Sequence, residues 1–365
     1  MSSTYGENLK LSIFGQSHGP AIGMTLDGIP AGLAVDLEEL QQFLSRRAPG
    51  FSELSTARKE EDIPEFLSGI VDDFTCGAPI AAVIRNQDVQ SRSYDDNQRI
   101  PRPGHADYTA DVKYGGFQDS AGGGHFSGRL TAALCIAGGL CKQWLRKSGI
   151  EITGHITAIG GVCDEPCRLN LMQPQIDSVG NDFPVISTEA AQAMRAKILR
   201  AKEKGDSVGG EVECVITGIP AGIGEPMFGG VESKIAQIVY GIPAIKALEF
   251  GLGAQISEFR GSMVNDAYET NGYQVTTRTN FCGGILGGIT TGMPVVFKAS
   301  VKPTPSIALS QQSVDLSTME NSTITVEGRH DPCIVPRVVP VLEAAAAIAI
   351  FDLILGNTQT YWRKG

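Results

Sequence analysis

The chain has 365 residues, a formal net charge of -10 and 44 glycines, a glycine share well above the ~7 % of average proteins. The negative charge argues against a general nucleic-acid binder, and the absence of a Gly-X-Y period excludes a collagen-like fibre. The length suits one large domain or about two smaller ones.

Eight cysteines are scattered along the chain without a C-x-x-C pair, which indicates small buried side chains in a reduced compartment. Cys163 and Cys167 lack neighbouring ligands that would complete a zinc site, so we expect no metal. The N-terminus has no apolar signal core. The most apolar run, 338–355, carries Glu343 and Asp352 and is predicted to be too short and interrupted to span a bilayer. These features predict a soluble, cytoplasmic protein.

The hydrophobic pattern predicts an α+β fold. Strands are predicted at 11–14, 21–27, 65–74, 80–84, 150–159, 212–217, a segment ending at 250, and 295–301. Helices are predicted at 37–47, 127–148, 188–204, 231–240 and 336–355. Asp36, followed three residues later by Glu39, forms a capping-box pattern at the start of the first helix.

Two of these helices, 127–148 and 336–355, are apolar nearly all round, which is typical of helices that are buried on every side. Each follows a charged loop, so we interpret the chain as a single domain over 1–365 with a crude internal duplication. The two helices would lie centrally, covered on both sides by mostly antiparallel sheets. Large functional loops would meet at the loop–helix junctions.

The stretch 102–131 contains His105, His125 and a run of three glycines, 122–124, shortly before the first apolar helix. A glycine-rich loop at a helix N-terminus can bind an anion through free N–H groups and the helix dipole. Imidazoles beside such a loop suggest acid–base chemistry on a phosphorylated ligand. The alternative is a structural turn with bystander histidines.

Other loops carry residues that suit a small anionic ligand. Arg46 and Arg47 end the first helix, where they also complement its dipole. The following loop, 48–61, adds Arg58 and Lys59 and is interpreted as a mobile cationic lid. Neither a GxGxxG dinucleotide unit nor a P-loop is present. Further candidate segments are the Ser-His loop 15–20, the glycine-dense stretch 279–292, the proline-stiffened loop 302–306 and the charged loop 328–333.

Several of these segments, in this order, resemble chorismate synthase over nearly the whole chain. The matching blocks are FGQSHG (14–19), RPGHAD (102–107), the GGG-to-RLT segment (122–131), GGILGGI (283–289), KPTPS (302–306) and GRHDPC (328–333). The resemblance implies a chorismate synthase-like β-α-β sandwich that assembles as a homotetramer. It also implies conversion of 5-enolpyruvylshikimate 3-phosphate to chorismate by 1,4-anti elimination of phosphate. This final step of the shikimate pathway requires reduced FMN without net redox change.

The resemblance also implies roles for individual residues. His18 would act on the departing phosphate, and His105 would face the flavin as an acid. Asp331 and Ser127 would relay the ring proton. Flavin contacts would come from His125, Phe126, Ser127, Pro243, Ala244, Gly287, Lys302, Pro303, Thr304, Pro305, Ser306 and Arg329. Substrate contacts would come from Arg47, Arg58, Arg129 and Arg329, and the family's NADP contact would be Arg47.

The sequence departs from the family pattern in three places. His125-Phe126-Ser127 stands where the family often has Arg-Ser-Ser, so a titratable group replaces a permanent cation near the flavin. Ala48 follows Arg46 and Arg47 where a third arginine is common, and Glu53 stands where an arginine is expected. We therefore predict no intrinsic NADPH-driven flavin reductase.

Three other functions fit parts of the pattern. An FMN-dependent oxidoreductase acting on a phosphorylated metabolite would show net electron transfer to its product. A non-catalytic phosphometabolite-binding protein is disfavoured by three histidine-bearing loops, which contain His18, His105 and His330. An RNA-binding protein is disfavoured by the net charge of -10 and by the absence of interleaved aromatic and basic residues.

Overall fold

A computed structural model of the chain describes residues 3–50, 61–86, 99–167, 172–326 and 330–357. Within these ranges the α-helices are α1 (Leu37–Arg47), α2 (Asp107–Tyr114), α3 (Thr131–Lys147), α4 (Met172–Ser178), α5 (Thr188–Glu203), α6 (Val231–Val239), α7 (Gly261–Val264) and α8 (Val335–Gly356). Short 3-10 helices cover Ala121–Phe126, Gly128–Leu130, Met227–Gly229 and Gly253–Glu258.

The strands of the described residues form two larger sheets and several small hairpins. In chain order they are β1 (Thr4–Tyr5), β2 (Lys10–Gly15), β3 (Ala21–Asp27), β4 (Glu65–Ser68), β5 (Ile70–Val71), β6 (Phe74–Thr75), β7 (Ile80–Arg85), β8 (Glu151–Ile159), β9 (Val162–Cys163), β10 (Gly210–Thr217), β11 (Ile245–Phe250), β12 (Tyr268–Thr270), β13 (Val275–Thr277), β14 (Ile285–Leu286), β15 (Ile289–Thr290), β16 (Val295–Val301), β17 (Gln311–Asp315) and β18 (Glu320–Ile324).

Each large sheet has five strands, and all of its strand pairs are antiparallel. The first has the order β1-β2-β3-β7-β4 and the second has the order β11-β16-β10-β8-β9. In β16 the buried and half-buried positions alternate along all seven residues, as expected for a strand with one face on a core. The hydrophobic pattern therefore predicted this strand, 295–301, correctly.

The core lies between the two sheets, around the paired helices α3 and α8. α3 packs against β2, β3 and β7 of the first sheet, whereas α8 packs against β8 and β10 of the second. The two helices approach closely at Gly138, where an added Cβ would lie only 2.3 Å from Cα of Ala344. Any larger residue at this position would separate the helices. The predicted sandwich, with two central helices and antiparallel sheets outside them, is confirmed.

Helix α8 has 22 residues and is the one helix in the described ranges that is long and apolar enough to cross a membrane. However, 83 % of its apolar window is buried inside the protein, which is typical of a core helix. The sequence-based statement that this apolar run is too short to span a bilayer was therefore wrong about the length, because the helix extends over 22 residues, from Val335 to Gly356. Its apolar character is explained by packing instead.

Helix starts agree with the sequence signals more closely than the β structure does. Asp36 caps α1 by accepting a hydrogen bond from the N–H of Glu39 at 2.9 Å, and Ser187 caps α5 in the same way through Ala190 at 3.2 Å.

The predicted strand 65–74 is instead divided into β4, β5 and the start of β6. Gly69 and the two aspartates at 72 and 73 have positive φ there, so the chain turns. Helices α2 and α4 and the hairpin β17–β18 were not predicted.

Candidate active site

The three-glycine turn, 122–124, lies between two histidines from different loops. An added Cβ at Gly122 would fall 2.0 Å from Cε1 of His18, and one at Gly123 would fall 2.9 Å from Nε2 of His105. All three glycines have positive φ, so the turn needs glycine both for its backbone and for the close approach of the rings. The structure thus brings His18 and His105 against adjacent residues of one turn.

His105 is oriented by an ion pair within its own motif. Its Nδ1 lies 2.6 Å from Oδ1 of Asp107, and Asp107 also accepts two hydrogen bonds of 2.7 Å from the Arg102 guanidinium. A carboxylate can only accept, so Nδ1 of His105 carries the proton and Nε2 is directed toward Gly123. Burial alone would raise the pKa of Asp107, but hydrogen bonds from Arg102 and His105 hold it well below its ordinary value. Asp107 is therefore an ionised anchor for the imidazole.

A second cluster contains Arg47, Asp62 and Arg129, which we call the Asp62 cluster. Arg47 and Arg129 each donate to one carboxylate oxygen of Asp62. All three residues are buried: Arg47 and Asp62 are 2 % exposed, and Arg129 is 5 % exposed. Burial alone would raise the pKa of Asp62, but the charges and hydrogen bonds of the two arginines lower it. Two cations and one anion leave this buried site with one net positive charge, which favours an anionic ligand.

Asn86 connects the Asp62 cluster to the loop that contains His18. Its amide nitrogen donates to the carbonyl of Gly19 at 2.7 Å, while its oxygen accepts from Nε of Arg129 at 3.1 Å. Ser127 is next to this junction, where its hydroxyl accepts from the N–H of Arg129 at 3.2 Å and caps the following 3-10 helix. His18, Ser127 and Arg129 therefore belong to one continuous polar region.

Asp331 reaches the same region through Arg337 of α8. The Arg337 guanidinium donates to Oδ2 of Asp331 at 2.6 Å and to the backbone carbonyl of Arg47 at 2.9 Å. The neighbouring His330 has Nε2 at 3.2 Å from the carbonyl oxygen of Val326. Asp331 is thus held on the side of the Asp62 cluster that faces α8.

The loop 302–306 packs against the His105 motif from the other sheet. Lys302 donates to the carbonyl of Gly104, and Ser306 accepts from Arg102 at 3.2 Å. The loop is also tied to Ala244, whose carbonyl accepts from the N–H of Lys302 at 2.9 Å and whose φ is 77°. These contacts place the predicted flavin residues Ala244, Lys302 and Ser306 beside His105.

Two buried polar atoms near this loop test whether a polar ligand such as FMN suits the residues present. Oγ1 of Thr304 and Oε1 of Gln118 are buried and have no hydrogen-bond partner among the described residues. Gln118 lines a small cavity together with His105, Gly123 and Phe126. An aromatic ring, an imidazole and the unsatisfied amide oxygen of Gln118 line this cavity, and they fit a planar ligand with polar edges.

Phe126 lines this cavity, and His125 precedes it in the chain. Nδ1 of His125 donates to the carbonyl of Gly15 at 2.8 Å, and its Nε2 is 2.7 Å from the hydroxyl of Ser3. Both ring nitrogens are thus engaged with the first sheet. Phe126 is 36 % exposed and packs at 6.3 Å between ring centroids against Tyr114.

Not all predicted residues meet at this place. Gly287 lies in the β14–β15 turn, next to Gly288, whose carbonyl accepts from the N–H of Val231 at 2.9 Å. Helix α6, about 13 Å long, separates that turn from Ala244 and its half-buried neighbour Pro243. Pro303 and Pro305 stiffen the 302–306 loop. Arg58, Arg329, Glu53 and most of the predicted lid lie outside the described residues.

Sequence reasoning missed four residues that organise the site: Arg102, Asp107, Asp62 and Asn86. The first two stand within the RPGHAD block, where a carboxylate two residues after a histidine is a local signal that it can orient the ring. Asp62 and Asn86 carry no such signal, since their partners are 15 to 67 residues away in the chain.

Comparison with known proteins gives a single result. The family model for chorismate synthase matches residues 9–355. Chorismate synthases of Dehalococcoides mccartyi and Korarchaeum cryptofilum are 43 % and 44 % identical to the chain; each alignment covers 97 % of it, and 97 % and 98 % of those relatives. A crystal structure of a chorismate synthase superposes with a TM-score of 0.75 at 27 % identity, covering 96 % of this chain and 93 % of that one. The chain therefore belongs to the chorismate synthase family.

Proposed function

We propose that this site converts 5-enolpyruvylshikimate 3-phosphate to chorismate by 1,4-anti elimination of phosphate, with reduced FMN as its cofactor. The enzyme is thus a carbon–oxygen lyase of aromatic amino acid biosynthesis. The observation that carries the proposal is the three-glycine turn held between His18 and His105, next to a buried cluster with net positive charge. This arrangement provides proton transfer and anion binding in one place.

The departing phosphate is assigned to His18 and the Asp62 cluster. His18 carries a proton to the leaving group, and its Nδ1 is positioned 3.1 Å from the hydroxyl of Ser17. Arg47 and Arg129 stabilise the negative charge that develops on the phosphate, because they are buried where water screens little. Asp62 holds both guanidinium groups in place and limits their charge before substrate binds.

The flavin is assigned to the region between His105 and the loop 302–306. When bound, reduced FMN would supply electron density to the reacting centre without net redox change. Phe126, Ala244 and Lys302, with Thr304 and Ser306, would hold it, and the unpartnered Oγ1 of Thr304 is available as a donor. His105 faces the cavity as an acid whose orientation Asp107 fixes. Asp331 and Ser127 relay the ring proton, and His125 and Pro243 contribute at the edge.

Other properties come from the family alone. We propose a cytoplasmic homotetramer that obtains reduced flavin from a separate source. Arg47 is a poor NADP contact in this conformation, because its guanidinium is bound to Asp62 and donates to Oγ1 of Thr131 at 3.2 Å. Arg58, Arg329 and Gly287 stay predictions for the substrate and flavin contacts.

The direct test is an anaerobic reaction of the purified protein with 5-enolpyruvylshikimate 3-phosphate and chemically reduced FMN. We expect phosphate and chorismate in equal amounts, with the flavin still reduced at the end. Stoichiometric flavin oxidation would instead support an oxidoreductase. Tight binding of both ligands without product would support a binding protein.

Two variants test the residue assignments in the same assay. His105→Ala and Asp331→Ala should retain FMN binding and lose most turnover, at least about 100-fold, as expected for removal of a proton-transfer group. Asp182→Ala changes an exposed carboxylate and is the control that should turn over normally. Normal turnover in both test variants would contradict the assigned roles.

A further inference from the structure

A cluster of three metal-ligating side chains lies outside the proposed active site. A ring nitrogen of His155, Sγ of Cys167 and a carboxylate oxygen of Glu213 all lie within 4.8 Å of one another. His155 and Glu213 are buried and Cys167 is half-buried. None of them takes part in the mechanism proposed above.

The second sheet fixes two of the three donors. His155 on β8 and Glu213 on β10 are direct cross-strand partners, and Nε2 of His155 is 2.9 Å from Oε1 of Glu213. The preceding Gly154 faces α8, since an added Cβ there would meet Glu343 and Val339. Successive side chains of a strand point to opposite faces, so His155 and Glu213 face away from the central helices.

The third donor comes from the segment that covers this outer face. The N–H of Cys167 donates to Oε1 of Glu213 at 3.1 Å, which positions its side chain beside the cross-strand pair. The cover is tied to β8 on both sides, through Asp164 to Thr157 at 2.8 Å and through Pro184 to Ile156 at 2.7 Å. The donors are thus held by three separate backbone segments.

One polar atom of the cluster is unexplained by the protein alone. Nδ1 of His155 is buried and has no hydrogen-bond partner among the described residues, although the side chain is only 1 % exposed. A buried imidazole nitrogen without a partner costs free energy unless a ligand satisfies it. The protein therefore leaves one nitrogen of this imidazole unsatisfied, whereas Nε2 is the nitrogen directed toward Glu213.

We propose that His155, Cys167 and Glu213 bind one divalent transition-metal ion of the zinc class, with water in the fourth position. Imidazole and thiolate select such ions over Mg²⁺ or Ca²⁺, which prefer oxygen ligands. In a tetrahedral zinc site with bonds of 2.0–2.3 Å, ligand atoms are roughly 3.5 Å apart. The observed limit of 4.8 Å requires only a small inward movement of the side chains.

The charges of the cluster change consistently when the ion binds. Without metal, the sulfur of Cys167 is a thiol, as in an ordinary cysteine at neutral pH, and its backbone N–H is bonded to the carboxylate of Glu213. Binding of the ion replaces the S–H proton, which is released to solvent, and forms a metal–thiolate bond, while the proton that Nε2 of His155 donates to Glu213 moves to Nδ1 of the same ring. The thiolate and Glu213 then neutralise the two positive charges. The bound metal would fasten the covering segment to the outer face of β8 and β10.

This cluster could not be recognised from the sequence alone. Cys163 and Cys167 are too far apart for a C-x-x-C pair, and His155 appears as an ordinary strand residue. The pairing of β8 with β10 is what supplies the partners.

The experiment titrates the purified full chain, freed of metal and kept reduced, with Co²⁺ alone. We expect one ion per chain and a thiolate-to-cobalt charge-transfer band in the near ultraviolet. Cys167→Ser should lose the band, whereas Cys163→Ser should keep it, because Cys163 is exposed and lies four residues away. Absence of the band from the wild type, or an unchanged band in Cys167→Ser, would overturn the proposal.

A measurement on the unmutated protein removes any ambiguity from misfolded variants. X-ray absorption of the zinc-loaded chain should show one sulfur at about 2.3 Å and the remaining ligands as nitrogen or oxygen at about 2.0 Å. A shell without sulfur, or with several sulfurs, would show that the metal binds elsewhere. Phosphate release in the assay described above should be the same for Cys167→Ser and wild type.

Discussion

Two buried carboxylates each bind two cations, and adjacent arginines of α1 supply one cation to each. Arg47 joins Arg129 at Asp62, whereas Arg46 joins Lys142 at Glu343. We call the second group the Glu343 cluster. Both clusters carry one net positive charge, and in both of them the carboxylate is buried. They differ in what holds them and in what surrounds them.

The Glu343 cluster is built entirely from regular elements. Its residues come from α1, α3 and α8, and the same carboxylate accepts the N–H of Gly154 on β8 at 3.0 Å. Arg46 forms a bidentate pair with it at 2.8 and 2.9 Å, and the Phe43 ring lies beneath both cations. All acceptor positions of Glu343 are used by the protein, so this cluster is structural.

The Asp62 cluster instead lies where loops meet. Asp62 has a positive φ of 53°, and its neighbours Asn86 and Ser127 belong to connecting segments next to His18. We expect equivalent charges to serve different ends, because helices supply all three charged residues of the Glu343 cluster, whereas Asp62 lies in a connecting segment. The comparison predicts that breaking the first costs stability alone, and that breaking the second alters ligand binding as well.

The largest effect on stability is expected for Glu343→Gln. Removing the buried carboxylate charge leaves the half-buried cations of Arg46 and Lys142 uncompensated, which should lower the free energy of unfolding by about 3–5 kcal/mol. Urea denaturation measures this loss. The fraction of the variant that folds should keep the KM and kcat of the wild type. A raised KM would show that the Glu343 cluster also contributes to substrate binding at the active site.

The pH dependence provides a control for this prediction. Burial by itself raises the pKa of Glu343, but Lys142 and Arg46 lower it from 4.5 to about 2. A lowered pKa means that the stabilisation is complete above the unfolded value and is lost as pH falls toward the folded one. The difference in unfolding free energy between wild type and Glu343→Gln should therefore shrink as pH falls from 5 to 3. A constant difference would mean that the charge is not its cause.

The next largest effect is expected for Asp62→Asn. We expect a loss of about 3 kcal/mol, at the lower end for a broken buried pair, since Thr131 and Asn86 still accept hydrogen bonds from the two arginines. With the competing carboxylate gone, inorganic phosphate should inhibit at lower concentration and the KM for the phosphorylated substrate should fall. Steady-state kinetics with phosphate as inhibitor measures both. Unchanged constants would make this cluster structural like the other.

The fold was largely predictable from the sequence because its core helices and main strands bury continuous apolar faces. The strand 295–301 and the two central helices follow directly from hydrophobic periodicity. The segment 65–74 was not predictable in detail, because positive-φ turns divide it after Gly69. Helix α2 is short and weakly amphipathic, so its periodicity was too faint to detect.

The candidate site was predictable only where its partners are close in sequence. The sequence grouped the glycine turn with His105, and the structure places the two in contact; its anion-binding role stays a prediction. The pairing of Arg46 with Glu343 and Arg47 with Asp62 could not, because both arginines had the same local explanation at the end of a helix. Helix rotation of about 100° per residue sends their side chains in different directions.

The smallest effects are expected from a matched pair, Arg46→Lys and Arg47→Lys. Each keeps its positive charge and loses the planar fork, so each should lower the free energy of unfolding by only about 1 kcal/mol. Arg46→Lys breaks the bidentate contact with Glu343, and its kcat/KM should stay at the wild-type value. Arg47→Lys gives up its contacts with Thr131 and Gly128, so Asp62 and Arg129 can shift and kcat/KM should fall about tenfold. Equal kinetics in the two variants would show that neighbouring arginines with different partners do not differ in function, and the distinction between a structural and a ligand-binding cluster would fail.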